Sequence, residues 1–112
     1  MHLVHILNLL RIDMAVYYIG SYDVTDPDSY DRYVQGVIPL LIKHGCEIVV
    51  ADREATAVEG KPKNINLVLR FDNEEKARAW YNDPEYQPVK ALRMASTTNS
   101  TGIIAKAFSG QK

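Results

Sequence analysis

The fold of this 112-residue chain is decided by residues 65–81, which read INLVLRFDNEEKARAWY. Over the first seven positions, 65–71, large apolar side chains occupy every second place. This period of two predicts a strand with one strongly apolar face. Asp72 then has Glu75 three positions later, a variant of the capping box that opens a helix running through Tyr81. The stretch therefore predicts a strand followed directly by a helix.

Two strands and one helix are predicted ahead of this stretch. Val16–Val24 is rich in Tyr, Val and Ile, which favour strands, and residues 46–53 have a similar character. Between them, Asp26 and Pro27 predict a helix start, because Asp accepts backbone N–H bonds and proline suits the first helical position. The next apolar residues recur at steps of three and four, as one helix face requires: Tyr30, Tyr33, Val34, Val37, Ile38 and Leu41. Gly45 is placed to end that helix.

The remaining elements follow residue 81. Asp83 and Pro84 repeat the pairing of a capping residue with proline and predict a further helical segment. Residues 96–100 are expected to form a polar loop, and residues 102–108 a short fourth strand. The resulting order is β-α-β-β-α-β, which gives an antiparallel four-stranded sheet with its helices on one face. We therefore predict an α+β, ferredoxin-like sandwich.

Composition limits the class of protein. Hydrophobic residues make up 46% and charged residues 24%, as in ordinary globular domains, and the length fits a single domain. Thirteen basic residues balance fourteen acidic ones without a basic run, so we expect no nucleic-acid partner. A lone cysteine, Cys46, can form no internal disulfide, which fits a reducing, cytoplasmic location.

The N-terminal residues differ from the rest. Residues 1–10 are apolar, but about 20 residues are needed to span a bilayer, and no Lys or Arg precedes them as in an export signal. A strand-like pattern starts just after Met14. We therefore expect residues 1–13 to be an upstream extension outside the native domain, which would begin at Met14, and residues 14–112 to form one domain without a membrane partner.

The predicted sheet also indicates a partner. Its first three strands carry apolar side chains on both faces, yet the helices can cover only one of them. The uncovered face would expose a contiguous apolar surface, which is unusual for a soluble monomer. The chain shows no internal repeat that could supply a cover. We therefore expect a homodimer in which a second copy covers this face.

One segment resembles a known family. Residues 77–86, ARAWYNDPEY, continuing to Lys90, Leu92 and Arg93, closely resemble the hallmark of domain of unknown function family 1330, a family of small, mainly bacterial proteins. The stretch from Tyr17 to Pro27 resembles the family's first strand and helix start. The resemblance implies a dimeric α/β-barrel of the ferredoxin-like group. Proteins of that wider group include cofactor-free monooxygenases, haem-degrading enzymes, isomerases and ligand-binding proteins, so the resemblance assigns no reaction.

A ligand pocket is predicted between the first helix, residues 80–86 and the sheet. Tyr18, Tyr33 and Trp80 would give it aromatic walls with polar tips, and the Asn82 amide would orient a ligand. Pro39 is expected to bend the helix away from regular packing there. The alternative is structural, with Trp80 as a core filler and Asn82 as part of a turn.

Asp23, Tyr81 and Arg93 are the candidates for catalytic residues. Asp23 ends the first strand, Tyr81 offers a hydroxyl, and Arg93 can hold a carboxylate through its planar fork. Each also has a structural alternative: helix-start chemistry for Asp23, core filling for Tyr81, and a solvated or salt-bridged position for Arg93. Arg93 as the single positive charge favours an anionic or carbonyl-bearing ligand.

The sequence contains no motif for a cofactor or a metal: it lacks a P-loop, a Rossmann glycine pattern, a nucleophile elbow and zinc-ligand spacing. Two function classes remain open. One is a cofactor-independent enzyme of the monooxygenase or isomerase type that acts on a small, partly apolar or anionic metabolite. The other is a ligand-binding or interaction module without chemistry.

Overall fold

A computed structural model describes residues 14–108 of the chain. The proposed N-terminal extension, residues 1–13, lies outside the described residues, as do residues 109–112. The elements in chain order are β1 (Val16–Val24), α1 (Pro27–Lys43), β2 (Glu47–Asp52), β3 (Ile65–Phe71), α2 (Glu74–Tyr81), α3 (Tyr86–Ser96) and β4 (Thr97–Lys106). The predicted α+β class is confirmed, with the second helical region divided into two helices.

The four strands form one antiparallel sheet in the order β2-β3-β1-β4. Tyr18 and Tyr22 of β1 are buried, whereas Ile19 between them is 42% exposed. Because side chains alternate along a strand, the even positions of β1 face the helices and the odd positions face away. This alternation places Tyr18 and Tyr22 between the sheet and the helices.

Helix α1 begins and ends where the sequence predicts. The Asp26 side chain accepts the backbone N–H of Ser29, and Pro27 is the first helical residue. Gly45 follows the helix with a φ of 72°, a conformation that glycine adopts without strain. The residues buried against the sheet share one face: Tyr30, Tyr33, Val37, Leu40 and Leu41.

The prediction of a polar loop over residues 96–100 is wrong. Helix α3 continues to Ser96, and β4 begins at once with Thr97, which pairs with Val24 of β1. The Ser96 carbonyl accepts the backbone N–H of Thr25 at 2.8 Å. An edge strand needs ladder bonds on one side only and tolerates polar side chains, so polarity alone was a poor indicator here. The α2 cap also differs, because Asn73 rather than Asp72 accepts from Lys76.

One face of the sheet carries no helix. Ile19 pairs with Val68 on one side and with Ile103 on the other, and Val50 pairs with Val68. Paired residues share a face, so these four apolar side chains form a continuous patch, which we call the open face. Ile103 is 57% exposed. No helix within residues 14–108 combines the length and apolarity needed to cross a membrane.

Candidate functional site

A cavity of about 160 Å³ lies between α1, β2 and the centre of the sheet. Most of its wall is aliphatic, from Val34, Val37, Leu41, Ile65, Leu67 and Leu69. Its buried polar groups come from tyrosines and from Arg93 of α3, and the exposed Asp52 and Arg53 complete the polar part of the lining. The edge strand β2 borders the cavity with Ile48, Ala51 and Asp52, and all six of its residues remain exposed.

Arg93 is the unusual residue of this wall. Only 3% of its surface is exposed, and within residues 14–108 no carboxylate lies at ion-pair distance from it. Its guanidinium carbon lies 5.4 Å from the centroid of the Tyr22 ring and 5.9 Å from that of Tyr33, and Nη1 donates to Ser100 Oγ at 3.2 Å. Contacts with ring faces offset only part of the desolvation cost of a buried cation, so the guanidinium can still bind an anion. Within the described part of the chain, Arg93 is thus neither solvated nor salt-bridged.

Two pairs of tyrosine hydroxyls surround Arg93. The Tyr22 and Tyr30 hydroxyls lie 2.8 Å apart, and those of Tyr33 and Tyr86 lie 2.9 Å apart. Burial raises the pKa of all four phenols, and it raises the pKa of Tyr18 to about 12 although Arg93 acts in the opposite direction. The phenols therefore stay protonated at neutral pH and act as hydrogen-bond donors.

Tyr18 stands on β1 between this cavity and the fourth strand. Its ring meets Trp80 edge-on at 5.3 Å and lies over Gly20 and Gly102. A Cβ added to Gly102 would lie 2.5 Å from the Tyr18 hydroxyl oxygen. The two glycines therefore provide the space in which Tyr18 lies.

Trp80 is a core residue and also part of the cavity wall. It is 2% exposed, stacks on Phe71 at 5.7 Å and lies 4.8 Å from the Tyr86 ring. Its buried Nε1–H has no acceptor among the described residues. Buried donors in native proteins are nearly always satisfied, so an indole N–H without an acceptor among the described residues is unusual. Trp80 also lines the cavity, so a ligand could supply the acceptor.

Four of the seven residues predicted for the site line the cavity: Tyr18, Tyr33, Trp80 and Arg93. Tyr81 lines a neighbouring cleft on the β4 side, which shares Tyr18, Trp80 and Arg93 with the cavity. Asn82 lies at the exposed end of α2 and lines neither space.

Asp23 is separate from the other candidates. Its carboxylate accepts the backbone N–H of Asn64 at 3.0 Å and the amide of Asn99 at 3.1 Å. These hydrogen bonds lower its pKa, with the Asn99 amide contributing most. Asp23 lines a polar cleft with Lys61 and Lys63, away from Arg93. The structure therefore does not bring Asp23, Tyr81 and Arg93 to one cavity.

Sequence reasoning missed Tyr22, Tyr30 and Tyr86 as members of the site. Tyr22 follows Tyr18 by four positions, so both lie on the same face of β1. Tyr30 was assigned to the apolar stripe of α1, and that stripe faces the cavity. The spacing could thus have identified Tyr22 and Tyr30. Nothing in the sequence indicated that the Tyr86 hydroxyl would pair with that of Tyr33.

Asp83 has a structural role. Its Oδ2 lies 2.9 Å from Lys43 Nζ and 2.7 Å from His44 Nε2, and its Oδ1 accepts the backbone N–H of Glu85. Hydrogen bonds from Lys43 and His44 hold the pKa of this carboxyl well below its usual range. Asp83 therefore links the end of α1 to the turn between α2 and α3.

The chain is similar to several solved structures. A protein of unknown function from Rhodopseudomonas palustris is 12% identical with a TM-score of 0.74, covering 93% of this chain and 92% of that one. A dimeric protein of unknown function with a ferredoxin-like fold from Bacteroides fragilis is 15% identical with a TM-score of 0.59, covering 82% and 95%. A candidate antibiotic biosynthesis monooxygenase from Bacteroides thetaiotaomicron is 13% identical with a TM-score of 0.57, covering 87% and 90%. At these identities the likeness shows the fold alone.

The family of the chain is shown by its sequence. No curated protein matches the chain. The model of a family described as a domain of unknown function, DUF1330, matches residues 15–107. That range contains all seven elements and every residue of the cavity wall. The chain therefore belongs to domain of unknown function family 1330.

Proposed function

We propose that this chain binds a small, partly apolar anion in the cavity between α1 and the sheet. The observation that carries the proposal is the burial of Arg93 beside this cavity without a carboxylate partner among residues 14–108. A buried charge is unfavourable unless it is paired. An anion bound in the cavity beside Arg93 would therefore offset part of the free-energy cost of burying its guanidinium.

Binding fits the polar groups of the cavity better than catalysis does. A cofactor-independent enzyme needs a proton acceptor or donor with a pKa near the working pH. Burial instead raises the pKa of Tyr18 to about 12 and raises that of Tyr33. These phenols and the permanently charged Arg93 recognise a ligand without exchanging protons at pH 7. The monooxygenase-like neighbour supports the enzyme alternative through its fold alone.

The proposal is tested by a thermal-shift screen of small carboxylic acids and aromatic metabolites. We expect some of these compounds to stabilise the wild type and to lose their effect in Arg93→Met, which keeps side-chain length but removes the charge. Arg32→Met is the matched control, because Arg32 is exposed on α1 and outside the cavity lining. Equal stabilisation in Arg93→Met would remove Arg93 from the site. No stabilisation by any compound would favour an interaction module instead.

We further propose that the protein is a homodimer whose interface is the open face. Ile19, Val50, Val68 and Ile103 give this face an apolar centre. Burial of apolar surface at about 25 cal/mol per Å² favours association over exposure to water. The Bacteroides fragilis protein of similar fold is described as dimeric, which supports the same arrangement here.

A further inference from the structure

We propose, building on the anion-binding function above, that the ligand is a monocarboxylate with a compact apolar tail of about one ring. Its carboxylate would lie against Arg93 and the hydroxyl of Tyr33. Its tail would lie along the aliphatic wall towards β2.

The hydroxyls of Tyr33 and Tyr86 have two hydrogens between them but share only one hydrogen bond. Tyr86 is fully buried, and within residues 14–108 its hydroxyl has one possible acceptor at hydrogen-bond distance, the oxygen of Tyr33. Arg93 also interacts with the Tyr86 hydroxyl, but a guanidinium only donates. We therefore assign the Tyr86 hydrogen to the Tyr33 oxygen, because the opposite direction would leave the buried Tyr86 hydroxyl without an acceptor among residues 14–108. With this assignment the Tyr33 hydrogen has no acceptor among residues 14–108, and Tyr33, unlike Tyr86, lines the cavity.

The second pair has the same property. Tyr22 and Tyr30 have two hydroxyl hydrogens between them and share one hydrogen bond, so one hydrogen has no acceptor within the described part of the chain. Both rings line the cavity. Together with Arg93, the buried polar side chains of the wall thus offer several donors around one buried positive charge. A carboxylate suits this arrangement, because it has two acceptor oxygens, one negative charge and a planar shape that matches guanidinium.

The mouth of the cavity argues against a second acidic group on the ligand. Asp52 and Arg53 lie there, at the end of β2. Arg53 lies over the Tyr30 ring at 5.5 Å and 3.9 Å from the Asp31 carboxylate. Two carboxylates thus accompany this one cation, so the mouth offers no net positive charge. A second carboxylate on the ligand would lie either beside the carboxylates of this mouth or against the aliphatic wall, and both positions are unfavourable for a negative charge.

The volume limits the tail. A cavity of about 150 Å³ lined by aliphatic and aromatic side chains is known to hold one benzene molecule. The present cavity of about 160 Å³ has a comparable size and a similar wall. It therefore accommodates one ring or a branched chain of similar bulk, and a second fused or linked ring would have to extend out through the mouth.

The test uses phenylacetate, its neutral isostere phenylacetamide, the dianion phenylmalonate and the larger biphenylacetate, titrated into 15N-labelled protein. We expect phenylacetate to bind at least about ten-fold more tightly than the other three. Loss of one hydrogen bond to a charged group lowers affinity by about ten-fold or more, so Tyr33→Phe should weaken phenylacetate and leave phenylacetamide nearly unchanged. Tyr17→Phe, which removes a hydroxyl on the open face, is the matched control and should have no effect.

The outcomes separate this inference from the function on which it rests. If phenylmalonate binds as well as phenylacetate in an Arg93-dependent way, or if Tyr33→Phe is without effect, the monocarboxylate assignment is wrong and anion binding stands. If biphenylacetate binds as well as phenylacetate in an Arg93-dependent way, the limit to one ring is wrong and anion binding stands. If no anion binds, or if every anion binds Arg93→Met as it binds the wild type, the proposed function itself is overturned.

Discussion

The Arg93 guanidinium lies over the face of the Tyr22 ring, and both side chains are buried in the layer between the helices and the sheet. Ring contacts of this kind contribute about 0.5–2 kcal/mol, less than the several kcal/mol that burying an ion costs. We therefore expect Arg93→Met to change the free energy of unfolding by less than about 1 kcal/mol or to raise it. Urea denaturation followed by circular dichroism measures this quantity. A loss above about 3 kcal/mol would instead give Arg93 a structural role.

Trp80 should behave in the opposite way. It packs against Phe71, Tyr18 and Tyr86 in the core, so Trp80→Ala should lower the free energy of unfolding by about 3–5 kcal/mol. Trp80→Phe keeps an aromatic ring and removes the unpaired Nε1–H, so we expect a smaller loss. Urea denaturation of both variants gives the comparison. Equal losses would show that indole bulk, rather than ring packing in general, stabilises this part of the core.

Val68 lies at the centre of the open face, between Ile19 and Val50 in the strand register. A charge at this position would be buried without a partner in the proposed dimer, so Val68→Lys should dissociate it. Light scattering at micromolar concentration should give a dimer for the wild type and a monomer for the variant. Val58→Lys, on a side chain that is 94% exposed, should remain dimeric. A monomeric wild type would contradict the proposed interface.

Gly102 and Tyr18 should be energetically coupled. The methyl group of Gly102→Ala would overlap the Tyr18 hydroxyl and push the ring out of place, with a loss of about 1–3 kcal/mol in stability. Tyr18→Phe removes the closest atom, so the double variant should recover part of that loss. A double-mutant cycle on the free energies of unfolding measures this interaction. Additive effects would mean that the alanine is accommodated by movement of β4 instead.

The Asp83 carboxylate should make stability depend on pH in the acidic range. Its pKa in the folded state lies below its unfolded value, mainly because of hydrogen bonds from Lys43 and His44. Its contribution is therefore complete above the unfolded pKa of about 3.9 and is lost as the pH falls towards the folded value. Asp83→Asn should be less stable than the wild type at pH 7, and the difference should shrink below about pH 4. A difference that is constant with pH would contradict this role.

Local chemistry explains why much of the fold could be predicted. The alternation over residues 65–71 and the cap at Asp26 act within a few residues, and both occur in the structure as predicted. The start of β4 could not be predicted in this way, because Thr97 becomes a strand residue only by pairing with Val24, more than seventy positions away.

The site was predictable only in part for a related reason. Residue type indicated that Arg93 and the aromatic residues could bind a ligand, but type does not determine burial. Arg93 is a candidate anion-binding residue because its side chain is buried without a carboxylate partner among residues 14–108, and its residue type could not indicate this. Asp23 was placed correctly at the end of β1, yet its odd position directs it away from the helix layer and towards Asn64 and Asn99.

Because β2 is an exposed edge strand that borders the cavity, we expect its local opening to influence how quickly a ligand reaches this interior. β2 is hydrogen-bonded on one side only, to β3, and its Ile48 and Ala51 border the mouth of the cavity. Edge strands with few packed neighbours open locally at a small fraction of the global free energy. Widening of the mouth past Ile48 therefore needs fraying of one strand and not unfolding of the core. The amide protons of β2 should exchange with solvent early, and a bound ligand should slow that exchange before it affects β1.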